Sequence, residues 1–360
     1  PACGSGHFLV VAFDLLVELY REESRHRGTS WSDRKIAEWI LEDNLHGVDI
    51  DPRAVQIAAA AVFLKAKALA RDSAPTQVNL VAPALRLSSL SKDDPALVRL
   101  ESDILAETGI PPELTGQIIQ VLEGVDYLGT LLRVGDAVDK AIEAHQGALS
   151  QVSPQSDLFS PGIPLKSAPV SKEDAKRVVL DRLNAFLSSH AGEEDLGLRL
   201  RGQQLAAGVR FASIVKEGQF HVVVGNPPYQ GTSRMREAGY IARHFPRGKA
   251  DLYAAFLERG LELCVRGGAS AMVTMRNWMF LSGYTELREH LLKTFDLRVI
   301  ADVGTGAFSS RSMDDVISAA LTVFRRSPPV PPSIAIQAAP LKDPSRDAGK
   351  PARRRAAPAP

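Results

Sequence analysis

Asn226-Pro227-Pro228-Tyr229 combines residue types that can hold and activate an amino group on a flat ring. Pro227 has no N–H and a fixed φ, so its carbonyl is an acceptor on a stiff backbone. The Asn226 side-chain oxygen and the Pro227 carbonyl make two acceptors for one exocyclic –NH2, and Tyr229 offers a stacking face. An amino group gripped in this way loses conjugation with its ring and becomes a better nucleophile. The bland alternative is that Asn226 is only a turn residue.

Such a site needs a rigid platform. Phe220 to Val224 reads as a buried parallel strand broken by Gly225, which places Asn226 at a sheet's carboxyl edge. At the start of the chain, Pro1-Ala2-Cys3-Gly4-Ser5-Gly6 precedes an apolar stretch, Phe8 to Leu19, patterned as a helix packed on a sheet. Small residues at a strand-to-helix turn let the backbone approach a ligand closely. His46-Gly47-Val48-Asp49-Ile50-Asp51-Pro52 reads as a short strand ending in carboxylates, followed by a helix from Ala54 to Ala70. An acid at the end of the second strand of a doubly wound sheet accepts hydrogen bonds from a ribose. Asp49 and Asp51 both qualify, Asp51 equally as the cap of the next helix.

Composition narrows the class. With 45% hydrophobic and 24% charged residues, 360 residues can bury a full α/β core. A formal net charge of +1 means that any attraction for nucleic acid comes from local patches. One such patch follows the motif: Arg234, Arg236, Arg243, Arg247 and Lys249, with His244, form a loop able to grip phosphates or merely a solvated polar segment. Cys3 and Cys264 give no disulfide framework and fit a reducing cytosol, with Cys3 a small filler rather than a nucleophile. The histidines lack metal-ligand spacing, and no apolar run approaches the roughly 20 residues of a membrane span.

The chain divides into four parts. Residues 1–80 carry the loop, strand and helix of a cofactor-binding half, and 205–326 carry the Asn-Pro-Pro-Tyr half. Between them, 81–204 reads as a mostly helical insertion or cover. It has an amphipathic stretch from Leu114 to His145, a Pro/Ser-rich loop from Ser150 to Pro169, and a helix opening at Ser171 with a capping box to Asp174. In the catalytic half, helices are expected over Asp251–Val265, ending at Gly267-Gly268, and Tyr284–Phe295. Strands are expected over Ala271–Met275, Leu297–Val303 and Val316–Phe324. Residues 327–360, rich in Pro, Ala and Arg, have the composition of a disordered tail.

Taken together, these residues resemble adenine-specific DNA methyltransferases. The opening is similar to their acidic-Pro-Ala-Cys-Gly-Ser-Gly cofactor loop, whose acidic residue would precede Pro1. Lys249-Ala250-Asp251-Leu252-Tyr253-Ala254-Ala255-Phe256, Gly267-Gly268, Arg276-Asn277-Trp278-Met279-Phe280 and Gly304-Thr305-Gly306-Ala307-Phe308 resemble the type IIG restriction–methylation enzymes and the BREX phage-exclusion (PglX) family. The resemblance implies a Rossmann-like S-adenosylmethionine-dependent fold, incomplete at the N-terminus and lacking a target-recognition region. It implies that Pro1, Ala2, Cys3, Gly4, Gly6 and Asp49 bind S-adenosylmethionine and that Asn226, Pro227, Pro228 and Tyr229 are catalytic. By the same resemblance, Phe308 faces Tyr229 across a flipped adenine of double-stranded DNA, in a cytoplasmic restriction-modification or BREX system that includes other subunits.

Base flipping costs a few kcal/mol, and stacking returns roughly 1–3 kcal/mol per base, so two aromatics at the pocket make physical sense. Trp278 reads as core or pocket wall. A nicotinamide dehydrogenase would want a third glycine and an acid about 20 residues on, and the spacing here is wrong. Glutamine-side-chain methyltransferases share Asn-Pro-Pro-Tyr but match the other segments poorly. A truncated, catalytically inactive DNA-binding remnant is the serious rival.

Overall fold

The computed structural model describes residues 1–82, 95–108, 112, 128–133, 211, 214–235, 237–304, 318–330 and 334–337. The Ser150–Pro169 loop, the helix expected from Ser171, Arg236 and Phe308 lie outside the described residues, as does most of the Leu114–His145 stretch.

The N-terminal part is a helical layer on a short parallel sheet. Helix α1 spans His7–His26 and α2 spans Asp33–Trp39, capped by the Ser32 side chain and continued by a wider turn over Ile40–Asn44. Strand β1 (His46–Val48) leads into α3 (Pro52–Leu69), and β2 (Asn79–Val81) pairs with β1 in parallel. Leu9, Phe13 and Val17, spaced at helical intervals on α1, pack with Ile36, Ile40, Ala58 and Val62 into one core. A further helix, α4, covers Pro95–Thr108.

The second part is a five-stranded mixed sheet. Its strands are β3 (Phe220–Gly225), β4 (Cys264–Met275), β5 (Asp296–Gly304), β6 (Ala319–Arg325) and β7 (Ile334–Gln337). They run in the order β3-β4-β6-β5-β7. The β3–β4 and β5–β7 pairs are parallel, whereas β6 is antiparallel to both its neighbours. Three more helices belong here: α5 (Ala238–His244), α6 (Leu252–Leu263) and α7 (Thr285–Thr294). Helix α6 is buried on almost every face, as a helix wedged between sheet and cover must be. Leu257 and Leu261 of α6 join Val223, Met272, Trp278, Leu287 and Phe324 in the central core.

The α/β class expected from the sequence is the class observed, with several differences of detail. β3 has β4 as its single described neighbour, so Val222 and Val224 are exposed rather than sealed on both faces. The strand expected from Ala271 begins at Cys264. Gly267 and Gly268 do not end a helix; they exchange hydrogen bonds with Arg326 and extend the β4–β6 ladder. The disordered tail is corrected at Ile334–Gln337, whose backbone adds a strand beside Val299–Asp302. Of the Leu114–His145 stretch, expected to be helical, residues 128–133 are described. Gly129–Leu131 is one tight 3-10 turn, after which Leu132 is extended.

Candidate functional site

The loop that opens the chain bridges the two sheets. The Cys3 N–H donates to the Val48 carbonyl at 2.9 Å, and the Gly4 N–H donates to Asp49 Oδ2 at 2.8 Å. Asp49 Oδ1 accepts from the Asp51 N–H at 2.9 Å. Asp51 itself turns away to cap α3, taking the Arg53 N–H at 2.9 Å. The two aspartates therefore divide the tasks that the sequence left open between them. Asp49 faces the loop and Asp51 starts the helix.

Ala2 sits at φ 51°, the non-glycine residue in the left-handed region among those described. Such a backbone costs on the order of 1–3 kcal/mol and persists only where its surroundings impose it. Gly4 follows at φ 53°, and a side chain built there would meet nothing within 4 Å. The loop thus forms a cradle with open space in front of its backbone. Burial pushes the Cys3 thiol up to about 11, so near neutrality it is a protonated filler.

On the other side, β3 ends at Gly225 and releases Asn226, exposed, followed by buried Pro227 and exposed Pro228. Tyr229 is half-buried against the core and meets Tyr253 edge-on, with ring centroids 6.1 Å apart. Its hydroxyl donates to Asn226 Oδ1 at 2.9 Å. Burial raises Tyr229 to about 12, which keeps the hydroxyl a donor. The Asn226 oxygen therefore already carries one donor from its own loop and keeps a second lone pair to offer.

Asp251 fixes the far end of this loop, a role the sequence did not single out. It caps α6 through the Tyr253 N–H at 3.3 Å and takes the Gln230 N–H at 3.0 Å. The Leu252 N–H donates to the Gln230 carbonyl at 3.0 Å, and Gly231 and Asp251 form a β-bridge. An Asp directly before an apolar helical run was the available signal.

These two loops share one cavity of about 330 Å³, within the size range of small-molecule sites. Ala2, Gly4 and Asp49 line it with Asn226 and Pro228, while Val48, Ile50, Leu131 and Phe256 supply apolar wall. Cys3 and Gly6 support the loop from behind, through hydrogen bonds to Val48 and between each other. Trp278 belongs to the core, its indole N–H on Thr274 Oγ1 at 3.2 Å.

The basic patch divides. Arg243 and Lys249 are exposed. Arg247 instead pairs at 3.0 Å with Glu258, a buried carboxylate on α6. Arg247 is thus ion-paired to α6 while part of its side chain stays exposed. Arg234 lies in a short 3-10 turn, and Arg236 is outside the described residues.

A family model for the Eco57I restriction-modification methylase matches residues 43–308, which include Asp49 and the whole Asn226–Tyr229 segment. The chain belongs to the Eco57I restriction-modification methylase family. Proteins of like sequence are the adenine-specific methyltransferase PglX of Lacticaseibacillus casei (strain Zhang), 29% identical over 91% of this chain, and the adenine-specific methyltransferase BrxX of Escherichia coli O9:H4 (strain HS), 30% identical over 90%. The chain spans about a quarter of the length of these relatives, 23% and 25% respectively. Among solved structures, a Type ISP restriction-modification enzyme, LlaBIII, bound to DNA aligns with 91% of this chain and 16% of its own. That alignment has 12% identity and a TM-score of 0.43. No described helix of this chain is long and apolar enough to cross a membrane.

Proposed function

We propose that this chain is the methyl-transfer module of an adenine-specific DNA methyltransferase in a restriction-modification or BREX system, with S-adenosylmethionine as cofactor. One observation carries the reading: Ala2 and Gly4 of the opening loop, Asp49, and Asn226 and Pro228 of the second loop line a single cavity. The lining suits that cofactor. Asp49 has a carboxylate for a ribose diol, Gly4 leaves its backbone open, and Ile50, Leu131 and Phe256 offer apolar surface for a purine. When bound, S-adenosylmethionine supplies a methyl group on an electrophilic sulfonium.

The protein's own part is alignment and hydrogen bonding. Adenine extruded from the duplex presents its amino group to the second lone pair of Asn226 Oδ1 and to the Pro227 carbonyl. Tyr229 offers its ring to the base, and the family resemblance alone assigns Phe308 to the same task. The two acceptors draw the amino protons into the plane of the loop and direct the nitrogen lone pair into the cavity. The nitrogen would take the methyl group as the carbon–sulfur bond breaks, a neutral thioether would be the leaving group, and the extra proton on nitrogen would pass to solvent. Alignment and preorganised acceptors suffice for this displacement. Arg243 and Lys249 hold flanking phosphates, and further subunits of the system are expected partners.

Transfer of a labelled methyl group to adenine in duplex DNA by the full-length protein tests the reading. The rival, a DNA-binding remnant, would bind DNA without binding S-adenosylmethionine.

A further inference from the structure

Arg259, in the middle of α6, is 1% exposed, and every part of its guanidinium is engaged. Nε donates to the Thr130 carbonyl at 2.7 Å, and Nη2 donates to the carbonyls of Val215 at 2.9 Å and Leu132 at 3.4 Å. Nη1 bonds Glu217 at 2.9 Å and Glu262 at 3.0 Å. Glu262 also pairs with Arg133, whose guanidinium lies over the Phe245 ring. A planar, permanently charged fork is the side chain able to serve several carbonyls and carboxylates at once.

What Arg259 holds is part of the cavity. Leu128, Gly129, Thr130 and Leu131 line it, as does Phe256, one helical turn before Arg259 on α6. Gly129 sits at φ 49°, and a side chain there would come within 2.9 Å of Ile50 Cγ2. The segment is therefore pressed against the residue that follows Asp49. These residues come from the middle of the region that reads as a helical cover. The structure makes them a wall of the cavity, fastened to the helix whose cap, Asp251, holds the far end of the Asn226 loop.

We propose that Arg259 is a positioning residue for cofactor binding: by clamping Leu128–Leu132 onto α6 it sets the width of the cavity opposite Asp49. This rests on the cavity being the S-adenosylmethionine site. The clamp links the two halves of the methyltransferase domain, so cofactor affinity depends on the helix that also anchors the catalytic loop.

The test is calorimetric titration of the full-length protein with S-adenosylhomocysteine, alongside thermal melts. Arg259→Lys keeps the charge between Glu217 and Glu262 but has one nitrogen and cannot span three carbonyls. Gly129→Ala perturbs the same wall without touching Arg259. Both variants are expected to bind S-adenosylhomocysteine about tenfold more weakly or worse, a loss on the scale of one hydrogen-bonded contact. In turnover, the KM for S-adenosylmethionine should rise while kcat at saturating cofactor stays within about threefold. A purely structural role would lower the melting temperature and leave the dissociation constant of the folded protein unchanged, which overturns the proposal. If Arg259→Lys does not fold, Gly129→Ala decides: wild-type affinity overturns the proposal and weakened affinity supports it. Failure of the wild-type protein to bind the probe overturns the cofactor site and the clamp together. Wild-type binding with unaltered variants overturns the clamp alone.

Discussion

The two loops that meet at the cavity are built by different means. The Pro1–Gly4 loop keeps its shape through backbone conformation: a left-handed Ala2, a left-handed Gly4 and a hydrogen bond to Asp49. The Asn226–Tyr229 loop keeps its shape through packing and caps, with buried Pro227, half-buried Tyr229 and Asp251 at its far end. A flexible ligand with many polar groups suits the first design, since exposed backbone can follow it. A flat ring that must be held in one orientation suits the second, because proline and a packed aromatic lose little freedom when it binds. The contrast predicts that lesions on one side change cofactor affinity and lesions on the other change turnover.

The largest effect is expected at Asn226. Asn226→Ala removes a preorganised acceptor, and losses of this kind amount to roughly 100- to 1,000-fold in kcat. Affinity for S-adenosylmethionine should remain within a few-fold, because the proposed partner of Asn226 is the amino group of the target base rather than the cofactor. Adenine methylation by the mutant at near wild-type rate would remove Asn226 from the chemistry and erase the contrast.

Asp49→Ala reports on the other side. Loss of a charged hydrogen bond to ribose, together with an orphaned Gly4 N–H, should weaken S-adenosylmethionine binding by about 1.5–3 kcal/mol. An equilibrium titration measures it. Asp51→Ala should cost about 1 kcal/mol of stability through its lost cap and leave the cofactor affinity unchanged. If the affinities follow the reverse pattern, Asp51 is the ligand.

The sequence made some of this site legible and hid the rest for physical reasons. Pro-Ala-Cys-Gly, Asp49 and Asn-Pro-Pro-Tyr carry their chemistry in local backbone and side-chain types, so short motifs reveal them. Leu128–Leu132 carries no such signature. Its place depends on Arg259, more than a hundred residues away, and a buried arginine inside an apolar helix resembles an ordinary exposed one when only sequence is visible. The strand at Ile334–Gln337 was hidden by averaging, since proline-rich surroundings masked a short alternation that pairs with β5. The Arg247–Glu258 pair was hidden for a related reason: the two side chains face each other only once α6 has folded.

A smaller effect is expected at Asp251, which belongs to the packed side. Asp251→Ala removes the cap of α6 and the acceptor for the Gln230 N–H, for about 1 kcal/mol of stability. The loosened Asn226 loop should lower kcat several-fold with cofactor affinity intact. Equal losses in both parameters would mean that the loop also shapes the cofactor wall.

The smallest effect is expected at Cys3, and it separates a backbone-built loop from a reactive one. The thiols of Cys3 and Cys264 are both raised to about 11, chiefly by burial. An acid with a raised folded pKa binds its proton more tightly in the native state. Between about pH 9 and 11 the unfolded chain therefore releases protons first, and stability falls as pH rises through that window. Below it, the thiols contribute no pH dependence. At pH 8 the thiolate fraction should be about a hundredth of that of a thiol titrating near 9, so native protein should react with iodoacetamide far more slowly than protein unfolded in urea. Cys3→Ala should leave cofactor affinity within about threefold, because the loop's contacts to Val48 and Asp49 come from backbone N–H groups that alanine retains. Rapid alkylation at pH 8, or loss of methyl transfer in Cys3→Ala, would show that the loop works through its sulfur, and the division between a backbone-built side and a packed side would fail.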